Sequence, residues 1–242
     1  MIIQDYSSLE ELSRASAELF QQIAAESVSS KGIFSVALSG GSTPEMTYQI
    51  LSKPPFRDTV PWKKTHVFWG DERYVPSDDD LSNSRMARRV LLNHVPVPDS
   101  NIHPIPYLST PQQSAIQYES ILRNFFKHQA PRFDLILLGM GSDGHTASLF
   151  PGTTILNERE RWAKEVFLPS QNMYRITITL PLINRAANIA FLVHGSEKAS
   201  ILASVLGKRG NSNALPAQLV YPENGELYWL VDKAALGTKP QI

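Results

Sequence analysis

Asp143 and His145 stand two residues apart inside GMGSDGHTASLFPG (139–152), and no other pair in the chain is better suited to acid–base chemistry. An imidazole with an ordinary pKa of about 6.5 can take a proton from water at physiological pH. A carboxylate on its other nitrogen would fix the tautomer and stabilise the imidazolium that forms. The expected chemistry is attack by water, with His145 as general base and either Asp143 or Asp71 as its orienting partner. The plainer alternatives are a capped surface histidine and an Asp-Gly turn.

Context favours chemistry. The run before the loop, Phe133-Asp134-Leu135-Ile136-Leu137-Leu138, is apolar on both faces and too short for a helix, so it reads as a buried parallel strand. Ligands of open α/β sheets sit in the crevice beyond the carboxyl ends of such strands. The glycines of 139–144 leave a backbone bare enough for close approach, and the N–H of Gly141 is a candidate oxyanion donor.

Other segments could complete a site for an anion. Ser39-Gly40-Gly41-Ser42-Thr43-Pro44 joins a buried strand to a helix start, where free N–H groups and the positive end of the helix dipole converge. Gly40 and Gly41 would admit an anion to the backbone, with Ser42 and Thr43 adding hydroxyls, which is the physics of a phosphate cradle. A tight turn with Thr43 as N-cap remains the alternative. Asp71, Glu72 and Arg73 follow the second strand, and the planar fork of Arg73 suits a phosphate or a developing oxyanion; a surface ion pair is the commoner fate of such a run. Arg175 opens RITITL, and Lys198 lies on the first turn after Gly195-Ser196; each is a further anion ligand or an ordinary surface charge.

Several chemistries are disfavoured. No Gly-Lys-Ser/Thr follows the first glycine loop, so this is not a nucleoside-triphosphate loop. Gly139-Met140-Gly141-Ser142-Asp143-Gly144 has the dinucleotide spacing, but Pro151-Gly152 interrupts the helix that pattern requires. No serine sits in a G-x-S-x-G elbow. The remaining histidines (His66, His94, His103, His128, His194) show no metal-ligand spacing, and cysteine is absent, so neither a metal nor a cofactor is expected. Lys plus Arg and Asp plus Glu each total 23, leaving no net charge to attract nucleic acid or an anionic membrane. The opening MIIQDYSSLEEL has no signal-peptide pattern, and no apolar run approaches the roughly 20 residues of a membrane span. The expectation is a soluble cytoplasmic protein, a monomer or weak homo-oligomer, acting on a small molecule.

The elements that must position these residues alternate. Helices are predicted over about 8–28, 44–52, 81–92, 112–128 and 196–206, with Pro44 as the first residue of the second. Strands are predicted at 33–38, 65–69, 133–138, 162–168, 175–180, 188–193 and 226–232, the last closing the sheet. Alternation implies a mostly parallel sheet covered on both faces. One α/β domain over 1–242 is expected, with a small subregion near 150–180.

Six segments occur in a fixed order: SGGSTP (39–44), GDERYVP (70–76), SNSRMARRVLL (82–92), GMGSDGHTASLFPG (139–152), RITITLPLIN (175–184) and GSEKASIL (195–202). Together, over nearly the whole chain, they resemble the 6-phosphogluconolactonase family. The resemblance implies a three-layer Rossmann-like α/β sandwich shared with the glucosamine-6-phosphate deaminases. It also implies cofactor-free hydrolysis of 6-phospho-D-glucono-1,5-lactone to 6-phosphogluconate in the oxidative pentose phosphate pathway. His145 would be the general base, Asp71 and Arg73 would line the reaction centre, and the Ser42-Thr43 loop, Arg175 and Lys198 would meet the phosphate. The deaminases look like GHIAFNEPG and DEY at the matching segments. Here Phe150 falls where their Glu would be and Arg73 where their Tyr would be, which suits ester hydrolysis better than ring opening. A sugar-phosphate sensor without catalysis is the alternative of another class.

Overall fold

Short runs of three to seven residues, most of them apolar, become the strands of two sheets in the computed structural model, which describes residues 1–127, 130–207 and 214–237. The strands are β1 (Ile2–Tyr6), β2 (Phe34–Leu38), β3 (Thr65–Trp69), β4 (Asp71–Arg73), β5 (Leu135–Gly139), β6 (Ala163–Leu168), β7 (Met173–Ile178), β8 (Asn188–Val193) and β9 (Glu226–Asp232). Six of them form one wholly parallel sheet in the order β1-β9-β8-β5-β2-β3. Helices cover both faces, as a parallel sheet requires. All five residues of β2 and the first four of β5 are buried, which is why these stretches carry no polar alternation.

The opening helix, Leu9–Lys31, turns Leu12, Phe20 and Ile23 inward, the face its apolar spacing predicts. Ser8 caps its start by accepting the Glu11 N–H, and Gly32 ends it at φ 81°, its N–H donating to the Val28 carbonyl. On this helix Phe20 meets Phe34 and Trp62. The helix Pro111–Phe126, started by Thr110 and a proline, brings Phe125 against Phe68 and Phe126 against Phe133.

The strands at 65–69, 188–193 and 226–232 lie where their patterns predict, and β2 and β5 within a residue or two. Four expectations need correction. The segments near 162–168 and 175–180 are strands, but they leave the parallel sheet and pair antiparallel as β6 and β7, with β4 beyond them, in a separate sheet ordered β4-β7-β6. That sheet is the subregion expected near 150–180. Strand β9 does not close the main sheet, because β1, for which no element was predicted, adds a parallel edge beyond it; β1 is largely exposed and so shows no buried-strand signature. The helix expected over 81–92 is α-helical only at Asn83–Ala87 and continues as a π turn through Leu92. Finally, the second helix begins at Ser42, not at Pro44, with Gly41 at its N-cap and Pro44 in its first turn. His128, the predicted end of the fourth helix, lies outside the described residues.

Candidate active site

The sheet order places a switch point between β2 and β5. From β2 the chain continues outward to β3, whereas β5 leads the other way to β8 and β9. Loops leaving the two strands therefore diverge and leave a crevice at their carboxyl ends. The β2–β5 ladder is only two residue pairs long, Val36 with Leu135 and Ala37 with Ile136, so the strands have parted before the loops begin. A cleft of about 300 Å³ opens there. Ten of the eleven predicted site residues line it, and the eleventh, Asp143, stands behind the ring of His145.

Two buried tyrosines fix the rims. Where a parallel ladder stops inside a protein, the next N–H and C=O lose their partners, and each buried orphan costs about 1–3 kcal/mol. The Tyr48 hydroxyl accepts the Ser39 N–H at 2.9 Å and donates to the Ser39 carbonyl at 2.8 Å, closing the end of β2. Tyr118 does the same for Trp69 at the end of β3, at 3.0 and 2.8 Å. Burial holds both phenols well above their ordinary range, so they remain neutral donors.

The cradle expected at Gly40–Thr43 is open. Gly41 sits at φ 105°, a conformation that favours glycine, and no side chain caps the helix that follows. The first N–H groups of Ser42 and Thr43 are thus left for a ligand. Gly40 is required for a different reason: a Cβ there would fall 1.9 Å from Oδ1 of Asn83. Asn83 is buried and lines the cleft, its side-chain amide donating to the Asp71 carbonyl at 2.9 Å. It was not singled out in the sequence, since an Asn at a helix start usually signals only a cap.

On the opposite rim, Nδ1 of His145 lies 2.5 Å from Oδ1 of Asp143, which also accepts the His145 backbone N–H at 3.1 Å. Burial would raise the Asp143 carboxyl, but these bonds and the imidazole outweigh it and hold the group below its ordinary range. Asp143, not Asp71, is therefore the carboxylate bonded to Nδ1, while Asp71 is engaged by Ser148 and Arg175. The imidazole stacks on Phe150 with centroids 3.9 Å apart, and the guanidinium of Arg175 lies 5.8 Å from the centroid of the same phenyl ring. Gly141 plays a part other than the one expected: its N–H donates to the His145 carbonyl at 2.9 Å and is not free for an oxyanion. Its lack of a side chain is what matters, because a Cβ would lie 2.1 Å from Nδ1 and Cε1 of His145. The loop then turns through Ala147 at φ 47°, which directs Ser148 to donate to Asp71 at 2.6 Å.

The third wall comes from the small sheet. Arg73 and Arg175 are register partners on β4 and β7, two like charges directly opposite each other. Such a pair is unfavourable unless something anionic offsets it. Asp71 does so partly, 3.7 Å from Arg175. Arg73 donates to the Leu81 carbonyl at 2.6 Å and Arg175 to Gln171 at 2.6 Å, yet the buried Nε of each has no partner among the described residues. Burial depresses the Arg175 guanidinium from its usual value, with Asp71 opposing that shift and Arg73 adding to it. Glu72, the other carboxylate of the run, points away to organise backbone: it accepts from the N–H groups of Arg73, Asn83 and Ser84 and from the Ser82 hydroxyl. Burial pushes its carboxyl up despite those bonds.

Lys198, on the 3-10 turn Ser196–Lys198 and not on the α-helix proper, completes the lining with Glu197 and His194 before it. His194 was set aside in the sequence for want of metal spacing; no local motif marks it, since its partner lies on another strand. Among the described residues no group of three or more His, Cys, Asp or Glu could hold a metal ion.

Residues 7–229 match the family described as glucosamine-6-phosphate isomerases/6-phosphogluconolactonase. A 6-phosphogluconolactonase of Synechocystis sp. is 44% identical over 214 residues, 87% of this chain and 86% of that protein. The chain belongs to this family. Among solved structures, the 6-phosphogluconolactonase from Trypanosoma cruzi superposes with a TM-score of 0.87 at 28% identity, covering 98% of this chain and 96% of that one. A monomeric glucosamine-6-phosphate deaminase superposes with a TM-score of 0.84 at 20% identity, covering 99% of this chain and 100% of that one, a likeness of fold alone. The lactonase and deaminase structures thus share this three-layer α/β arrangement with the chain.

Proposed function

We propose that this chain hydrolyses 6-phospho-D-glucono-1,5-lactone to 6-phosphogluconate without a metal, in the cytoplasmic oxidative pentose phosphate pathway, as one domain and as a monomer or weak homo-oligomer. The observation that carries the reading is a carboxylate-oriented imidazole sharing one cleft with two apposed guanidiniums and an uncapped helix start. The likeness to 6-phosphogluconolactonases at 44% and 28% identity supports the same substrate.

The uncapped amides of Ser42 and Thr43, with Arg175 and Lys198, hold the phosphate and bring the lactone carbonyl to His145. Nε2 of His145 removes a proton from water as the water oxygen attacks C1. Asp143 on Nδ1 steadies the imidazolium that results. The oxyanion at the former carbonyl is met by Arg73, since the Gly141 amide is already engaged. Collapse breaks the bond between C1 and the ring oxygen. The imidazolium returns its proton to that oxygen, restoring the neutral base and leaving an open-chain acid. General-base catalysis contributes roughly 10²–10⁴-fold and one oxyanion donor about 10²–10³-fold, ample for an activated ester.

Phe150 beneath the ring of His145 disfavours the deaminase reading, because it supplies no carboxylate there for ring opening. The test is proton release from freshly made lactone with and without the protein, repeated with a chelator. Hydrolysis well above background and insensitive to chelation is expected. A rate equal to background, activity restored only by divalent ions, or ammonia released from glucosamine 6-phosphate instead would each overturn the proposal.

A further inference from the structure

The cleft contains a second imidazole–carboxylate pair that the lactonase chemistry above does not use. His194 follows the last residue of β8 and lines the cleft, and its Nδ1 lies 2.8 Å from Oδ2 of Asp232 at the end of β9. Asp232 is buried, at 3% exposure, and its other oxygen accepts the N–H groups of Gly195 at 3.0 Å and Ala235 at 2.9 Å. That carboxylate already has what a buried strand end demands. The bond to His194 is therefore an addition to the turn, not a condition of it.

Its effect is on the imidazole. With Nδ1–H given to Asp232, the tautomer is fixed and Nε2 is the nitrogen left over. In the protonated ring Nδ1–H still meets Asp232, and Nε2–H is then a charge-assisted donor. The charged groups sharing this wall are Asp232, Glu197 and Lys198, and the ammonium of Lys198 has no ion-pair partner among the described residues. The side chain of Glu197 folds back over Gly195, where a Cβ would meet its carboxylate at 2.3 Å. Across the cleft stand the uncapped amides of Ser42 and Thr43.

We propose that His194, held by Asp232, is a further ligand of the substrate's phosphate, donating Nε2–H beside Lys198. This assignment rests on the sugar-phosphate reading and extends it to a residue outside the matched motifs. It makes His194 a determinant of preference for phosphorylated over unphosphorylated lactone, with no part in the proton transfers at C1.

The experiment compares wild type and His194→Gln on 6-phosphogluconolactone and on gluconolactone. The ratio of kcat/KM for the two substrates should fall roughly 5- to 30-fold in the variant, the loss of one charge-assisted hydrogen bond, carried by KM for the phosphorylated lactone. A variant that loses activity equally on both substrates, or on neither, overturns the proposal. A second arm does not depend on lactonase activity: wild type is titrated with inorganic phosphate while the Hε1 resonance of His194, assigned by its absence in His194→Gln or His194→Asn, is followed by NMR. Saturable movement of that resonance supports the ligand role. A resonance that stays still while phosphate binding is registered by calorimetry refutes it. Absence of hydrolysis by wild type with a moving His194 resonance would sink the lactonase reading and leave the phosphate ligand standing.

Discussion

His145 and Asp143 are two residues apart in the chain and 2.5 Å apart in space, whereas Arg73 and Arg175 come from distant segments and meet only because β4 and β7 pair in one register. The first pair is made by a loop whose own turn brings carboxylate and ring together. The second is imposed by a sheet, against the repulsion of two cations. Such a loop can be altered without disturbing the fold, and its purpose is visible locally. A strand pair of like charges has no evident structural benefit, and the proposed roles of Arg73 and Arg175 toward an anionic substrate would account for it.

The largest effect should come from the loop. His145→Ala is expected to lower kcat by roughly 10²-fold or more, with the fold retained, because the half-buried ring lines the cleft and its hydrogen bond goes to its own loop, to Asp143. Single-turnover rates with a melting curve as control check this. Near-normal turnover in a folded variant would move the chemistry elsewhere in the cleft.

Gly141→Ala tests the same loop from beneath. The added methyl would overlap the imidazole at 2.1 Å, so the ring or the loop must shift. A displacement of about 1 Å can cost on the order of 10²-fold, and a loss of 10-fold or more in kcat with little change in KM is expected. If KM rises instead and kcat holds, Gly141 serves substrate contact and not the placement of the base.

What the sequence made legible follows the same division. The glycine loop, the uncapped turn at Gly40–Thr43 and the positions of five of the six parallel strands are written in short contiguous patterns, and they stand within a residue or two of where those patterns predict. Strand β4 is only three residues long and exists because β7 offers it a partner, so no periodicity announces it. Asn83 carries no signal of its own in the sequence until Gly40 is seen packed against it, and the same holds for Tyr48 and Tyr118 until their hydroxyls are found at the strand ends. The Gly141 amide shows the converse error: a bare backbone looks available, but the turn that places His145 uses that N–H itself. The second pair, His194 with Asp232, joins neighbouring strands and has no local signature at all.

On the strand-pair side, Arg175→Ala should raise KM for the phosphorylated lactone roughly 10-fold, the scale of one charged hydrogen bond, and change kcat less. Steady-state kinetics on both lactones decide it. An unaltered preference for the phosphorylated substrate would remove Arg175 from the phosphate and assign it to Asp71 alone.

The smallest expected effect is on stability. Arg73→Ala deletes the bond from its guanidinium to the Leu81 carbonyl, worth about 1 kcal/mol net. It also relieves the apposition with Arg175, worth roughly 0.2–1 kcal/mol in the opposite direction. The bond from the Arg73 backbone N–H to the Glu72 carboxylate, within β4 itself, survives the substitution. The two side-chain changes nearly cancel, so urea unfolding should place the variant within about 1 kcal/mol of wild type. A loss beyond about 3 kcal/mol, the scale reserved for breaking buried networks, would mean that the guanidinium holds the small sheet together. The distinction between a locally built base and a cation pair maintained for a ligand would then fail at its second half.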